Sequence, residues 1–129
     1  MGTGKEPPKV VVDGCHVDES TYTYDGRRWN VRTLIKAVED QKCEVFDLPL
    51  AGISLNGLPF QVRHVDDFIF QMNRVANTDL KYPIILDWFG SICDGWHRVV
   101  KAIIEGRKTI KAVRLSDMPE PDSVIDKGE

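Results

Sequence analysis

Cysteine and long apolar stretches are both scarce in this sequence. Its three cysteines, Cys15, Cys43 and Cys93, are an odd number with no CxxC or other metal-like spacing, so the pattern points to neither a disulfide framework nor a thiolate zinc site. Three reduced thiols suit a reducing compartment, and a cytoplasmic location is expected. No apolar run approaches the roughly 18 residues needed to span a bilayer, and the N-terminus lacks the apolar segment of a signal peptide, so no membrane partner is expected. Excess charge is also small. The net charge of -3 and pI of about 5.6 argue against broad, non-specific binding to nucleic acid. They leave room for a local basic cluster, and Arg27, Arg28, Arg32 and Lys36 form one, either as a solvated face or as a nucleic-acid contact. Internal repeats and low-complexity segments are absent. What is present is ordinary for one globular domain: 129 residues, of which 42% are apolar and 29% charged, are enough chain for a real core.

Periodicity and turn chemistry then divide the chain. Residues 1–9 are rich in Gly, Pro and Lys and are expected to be disordered, residues 10–115 form a single domain, and residues 116–129 form a loosely ordered tail. Val10–Val12 is a weak edge-strand candidate. Thr21–Tyr24, Asp25-Gly26 and Arg27–Trp29 spell a hairpin, because Asp-Gly favours a two-residue turn. Asn30 is placed to cap a helix running to about Gln41, with Val31, Leu34, Ile35 and Val38 on its apolar face. Val45–Leu50 reads as a strand ended by Pro49, and Leu55–Pro59 is turn-rich. A second helix is expected from about Val65 to Ala76, with Asp66 and Asp67 in its first turn and Phe68, Ile69, Met72, Val75 and Ala76 buried.

The most informative stretch runs from Tyr82 to Leu115. Ile84–Leu86 is a short apolar run, Asp87–Gly90 is a turn, and Ile92-Cys93 resumes the strand character. From Trp96 the period changes: Trp96, Val99, Val100, Ile103 and Ile104 share one helical face, and Gly106 stops the helix. Thr109–Leu115 returns to strand composition. Helices alternate with short strands throughout, which predicts a small mixed α/β domain, a mixed sheet packed by about three helices.

Asp94-Gly95-Trp96-His97-Arg98 therefore sits where a strand hands over to a helix. The first N–H groups of a helix lack internal partners and the dipole makes that end positive, so the site suits a small anion, most simply a phosphate. Gly95 lets a ligand approach the backbone, and Arg98 supplies a forked donor. His97 is a candidate general acid or base or phosphate contact; alternatively it caps the helix or bonds a nearby carbonyl. Asp94 is either an N-cap or a catalytic group that shares Mg2+ with phosphate oxygens. Lys101, one turn on, reaches the phosphate or is solvated. Trp96 belongs to the helical core face or lies at the ligand. Trp88 and Phe89 are unusual in a turn and are candidates for base stacking, a partner surface or a homodimer contact. Asp66, Asp67, Asp87 and Asp94 are a further carboxylate set, with no spacing that demands a metal.

The stretch 82–115 resembles the ParB/sulfiredoxin-like superfamily, on Pro83–Asp87, the turn through Gly90, Ile92-Cys93-Asp94-Gly95-Trp96-His97-Arg98, Lys101-Ala102, Gly106 and the closing strand. The helix with Asp66, Asp67 and Phe68 and the strand from Phe46 to Ile53 extend the likeness over roughly 45–115, while residues 21–42 have no counterpart. The chain looks most like the small stand-alone bacterial and phage members. Superfamily members repair cysteine sulfinic acid with ATP, bind and hydrolyse CTP, phosphorylate serine, or act as nucleases. The resemblance implies phosphate binding at this helix start, with Gly95, Trp96, His97, Arg98 and Lys101 at the nucleotide, Mg2+ with ATP or CTP as cofactor, and NTP hydrolysis or phosphotransfer as the reaction. A ParB-like nuclease or DNA-binding adaptor and a non-enzymatic interaction module are the alternatives. Sulfiredoxins carry a nucleophilic Cys between the Gly and the His. Trp96 stands there in this chain, which argues against sulfinic-acid reduction.

Overall fold

A computed structural model describes residues 6–12 and 21–125. Cys15 and the ends of the chain lie outside that range, and residues 10–12 form no strand. The described residues form a small mixed α/β domain of three α-helices and two sheets.

The central sheet has four strands in the order β3-β6-β4-β5: β3 (Phe46–Pro49), β4 (Ile84–Leu86), β5 (Ile92–Asp94) and β6 (Thr109–Arg114). Strand β6 runs parallel to β4, pairing Ile84 with Ala112, and antiparallel to β3, pairing Phe46 with Ala112. The short apolar run of β4 has a simple cause. Both faces of the sheet are covered, so consecutive residues are all buried, as in strands that never meet water. Ile85, Val113 and Leu115 join one core cluster, while Ile84, Leu86, Ile110 and Ala112 join another on the opposite face. Side chains alternate along a strand, so β4 and β6 feed both cores at once. Pro49 ends β3 at the sheet edge, where a missing N–H costs nothing in the ladder.

One face is covered by α1 (Val31–Asp40) and by the hairpin of β1 (Thr21–Tyr24) and β2 (Arg27–Asn30). The hairpin turn is the expected Asp25-Gly26, both at positive φ. The other face is covered by α3 (Trp96–Ile104), through Val99 and Ala102. The third helix, α2 (Val65–Asn77), packs on α3.

The helices differ in how far their inward side follows their apolar residues. Helix α1 buries its expected face, with Leu34 buried and Val38 packed on the core beside Ala37, and turns out only Ile35, which is 46% exposed; α2 does not follow its apolar residues. In α2 the buried residues are Asp67, Gln71 and Val75, while Phe68 is 51% exposed. That is a rotation of about one residue, 100°. At the start of α2 the buried Asp67 carboxylate accepts the N–H groups of Arg63 (3.0 Å) and His64 (3.3 Å), so a polar residue is satisfied on the inward side.

The C-terminal segment, for which the sequence suggests a loosely ordered end, returns along the first hairpin. Strand β7 (Ser123–Val124) pairs with β2 and makes a second sheet, β1-β2-β7. Trp29 Nε1 donates to the Pro119 carbonyl at 2.7 Å. Asn30 occupies the N-cap position of α1 without a capping side-chain bond. Asp122 holds the helix start from outside, accepting the Asn30 N–H at 2.7 Å and the Thr33 hydroxyl at 3.0 Å. No helix among the described residues is long and apolar enough to cross a membrane.

Candidate functional site

The start of α3 lies at a cleft of about 340 Å3 whose walls come from both ends of the α2–α3 pair. Asp94, Gly95, His97 and Arg98 form one wall, and Arg74, Asn77 and Thr78 from the end of α2 form the other. The expected cluster is thus brought to one place, with Lys101 and Trp96 off this wall.

Gly95 is the N-cap, at φ +112°, a conformation that favours glycine. A Cβ there would stand 2.5 Å from Ile84 Cγ2 and 2.8 Å from Ile84 Cβ. The glycine is required by β4 behind it, not only by what approaches from the cleft. Asp94 is therefore not the cap. Its carboxylate holds Arg98 at 3.0 Å, an i,i+4 pair with the Arg98 side chain only 16% exposed. Arg98 Nε is buried with no hydrogen-bond partner, a loss that ordinarily costs about 1–3 kcal/mol.

His97 is held on two sides. Its ring stacks on Phe60, with centroids 4.7 Å apart and planes 8° from parallel, and its Nε2 is 2.7 Å from Gln71 Oε1. The Gln71 amide nitrogen donates to the Gln61 carbonyl, which leaves Oε1 as the acceptor, so His97 Nε2 carries the proton and donates. Lys101 points away from the α3 start: its Nζ donates to the carbonyls of Ala76 (3.2 Å) and Thr78 (2.7 Å) and closes the end of α2. Trp96 packs against the second core cluster. Its ring is also beside a second groove, of about 550 Å3, that runs from Gly95 towards Arg28 of the hairpin and Phe60.

The four carboxylates Asp66, Asp67, Asp87 and Asp94 do not gather: Asp66 accepts the Asp67 N–H at 2.9 Å in the first turn of α2. Asp67 caps α2, Asp94 pairs with Arg98, and Asp87 is buried in its own turn, accepting the N–H groups of Phe89 (2.9 Å) and Ser91 (2.8 Å) and the Tyr22 hydroxyl (2.9 Å). Among the described residues no group of three or more His, Cys, Asp or Glu is arranged to hold a metal ion. The basic cluster is divided as well. Arg27 and Arg28 are neighbours on a strand and line different grooves, and Lys36 pairs with Asp40 at 3.1 Å. Cys93 is buried, and burial, with Asp87 and Asp94 nearby, pushes its thiol up to about 12. That disfavours the thiolate a nucleophile needs. Trp88 and Phe89 are half exposed away from this cleft, and their rings meet at a tilt of 35° with centroids 4.0 Å apart.

Arg74, Asn77, Thr78, Gln71 and Phe60 escaped the reading of the sequence. No local signal marks them, because the inward side of α2 is set by its tertiary partners. No family model, no curated protein and no solved structure matches the chain.

Proposed function

We propose that the chain binds a phosphate-bearing small molecule, most simply a nucleotide, in the cleft between the end of α2 and the start of α3. The observation that carries this reading is the meeting of two guanidinium groups, Arg74 and Arg98, with a helix N-terminus in one cleft of about 340 Å3. That volume lies within the usual range for small-molecule sites, and helix N-termini and arginines both favour phosphate oxygens. The resemblance of residues 82–115 to ParB/sulfiredoxin-like proteins supports the same ligand class, with ATP or CTP as the first candidates and a cytoplasmic setting.

The geometry favours holding a phosphate over transferring one. His97 is committed to Gln71 and Phe60, and Asp94 to Arg98. Mg2+ would arrive on the nucleotide, whose oxygens suit a hard cation, and Asp94 would join it only by leaving Arg98. The test is thermal unfolding with ATP, ADP, CTP, GTP, serine and short DNA, each with and without Mg2+. A nucleotide at a hundredfold excess over its Kd should stabilise by about 2.7 kcal/mol, and Arg98→Ala or Arg74→Ala should abolish the shift. A protein whose Tm responds to no nucleotide does not have this function.

A further inference from the structure

The turn that carries Trp88 and Phe89 is held on every side. Asp87 accepts the Phe89 and Ser91 N–H groups through Oδ1 and the Tyr22 hydroxyl through Oδ2. The Gly90 N–H closes onto the Asp87 carbonyl at 3.0 Å. The Arg114 guanidinium donates to the Trp88 carbonyl. A turn bonded this way has little backbone freedom, yet its two largest side chains are 51% and 58% exposed. The rings gain little for the core, and what the turn preorganises is a surface.

Tyr24 completes it, with its ring centroid 6.3 Å from that of Phe89. Together these rings border a cleft of about 560 Å3, closed on the other side by residues 117–121 of the C-terminal segment. The charged side chains at this cleft are Asp25, Asp117 and Glu120 against Arg27, three carboxylates and one guanidinium, a net of two negative charges. Aromatic faces carry negative potential, so rings and carboxylates select the same sign of ligand. An anionic nucleotide is disfavoured here, which separates this surface from the cleft at α3.

We propose that this cleft docks an extended basic segment of a partner protein, with one Lys or Arg side chain laid against the rings of Trp88, Phe89 and Tyr24. The carboxylates of Asp117 and Glu120 balance its charge. Charge complementarity makes the occupant a basic segment, and the fixed turn lets it bind without first ordering the receptor.

The test uses the full chain and labelled synthetic peptides of about ten residues: one rich in Arg, one with Lys in its place, and one with Gln in its place, read by fluorescence anisotropy at low and high salt. The Arg and Lys peptides should bind at least about tenfold tighter than the Gln peptide, and their affinity should fall as salt rises. Trp88→Ala should weaken binding at least about fivefold while Trp88→Phe retains most of it. The pair Asp117→Asn with Glu120→Gln should weaken binding and flatten the salt dependence. Because the Trp88 side chain is half exposed, circular dichroism should show an unchanged fold for these variants. Equal binding of the Gln peptide, unchanged affinity in Trp88→Ala, or Trp88-dependent dimerisation with no peptide binding would each overturn the proposal.

Discussion

Asp87 shows how much one buried carboxylate organises. It shapes the turn after β4, and its remaining oxygen is matched by the Tyr22 hydroxyl from the first hairpin, 65 residues away. Tyr22→Phe removes that donor and leaves a buried charge short of a partner. The expected loss is about 1.5–3 kcal/mol, the usual range for bonds to charged groups, measured as a lower urea midpoint. The same burial and hydrogen bond raise the Tyr22 phenol above its ordinary range. Cys93 nearby is pushed from 9.0 to about 12, by burial first and by Asp87 and Asp94 after it. The folded state therefore keeps a proton that the unfolded chain releases. Its contribution is fully present below pH 9 and is lost as pH rises towards 12. Stability should fall across that alkaline window, and Cys93→Ala should shrink the slope without removing it, because Tyr22 acts in the same direction. Chemical unfolding at stepped pH measures both. At this scale the residues at the α3 start were legible in the sequence, because a strand, a glycine and an amphipathic run are local signals. The partners of those residues were not: nothing near His97 names Gln71 or Phe60.

Elements were legible in type and less so in orientation. The hairpin, the three helices and the strands of the 82–115 unit follow from period and turn chemistry, and so does the edge position of β3. The inward side of α2 does not, because Phe68 and Ile69 point out and its buried face is built from Asp67, Gln71 and Val75. Polar groups can turn inward only where partners wait, here two backbone N–H groups and a histidine. The start of α1 is a similar case. Asn30 has the right residue type in the right place but makes no capping side-chain bond, and Asp122 binds the Asn30 N–H and the Thr33 hydroxyl. Asp122→Ala should therefore cost about 1 kcal/mol, the usual net value of such hydrogen bonds, while Asn30→Ala should cost less. Thermal unfolding of the two variants side by side checks the assignment. If Asn30 proves the costlier position, the C-terminal segment does not hold the start of α1.

At the scale of the molecule, one sheet with two covered faces explains the order of stability. Amides of β4 and β6, buried between both cores, should exchange with deuterium most slowly, and those of the β2–β7 pair should open first. Mass-spectrometric exchange on peptides from the two regions reads this directly, and faster exchange in β6 than in β7 would contradict it. The sequence alone determined the mixed α/β class, the hairpin, and the strand–turn–strand–helix–strand unit with its glycine-led helix start. Those features depend on interactions within a turn or two, where side-chain period and backbone preference act. Tertiary structure decided which side of α2 faces inward, that Asp122 bonds a helix start 92 residues from it, and that His97 bonds a side chain 26 residues away. It also decided that Arg74 joins Arg98 at one cleft. Such contacts are selected by how covered faces pack and by which buried polar groups find partners, and no local stretch of the chain encodes them.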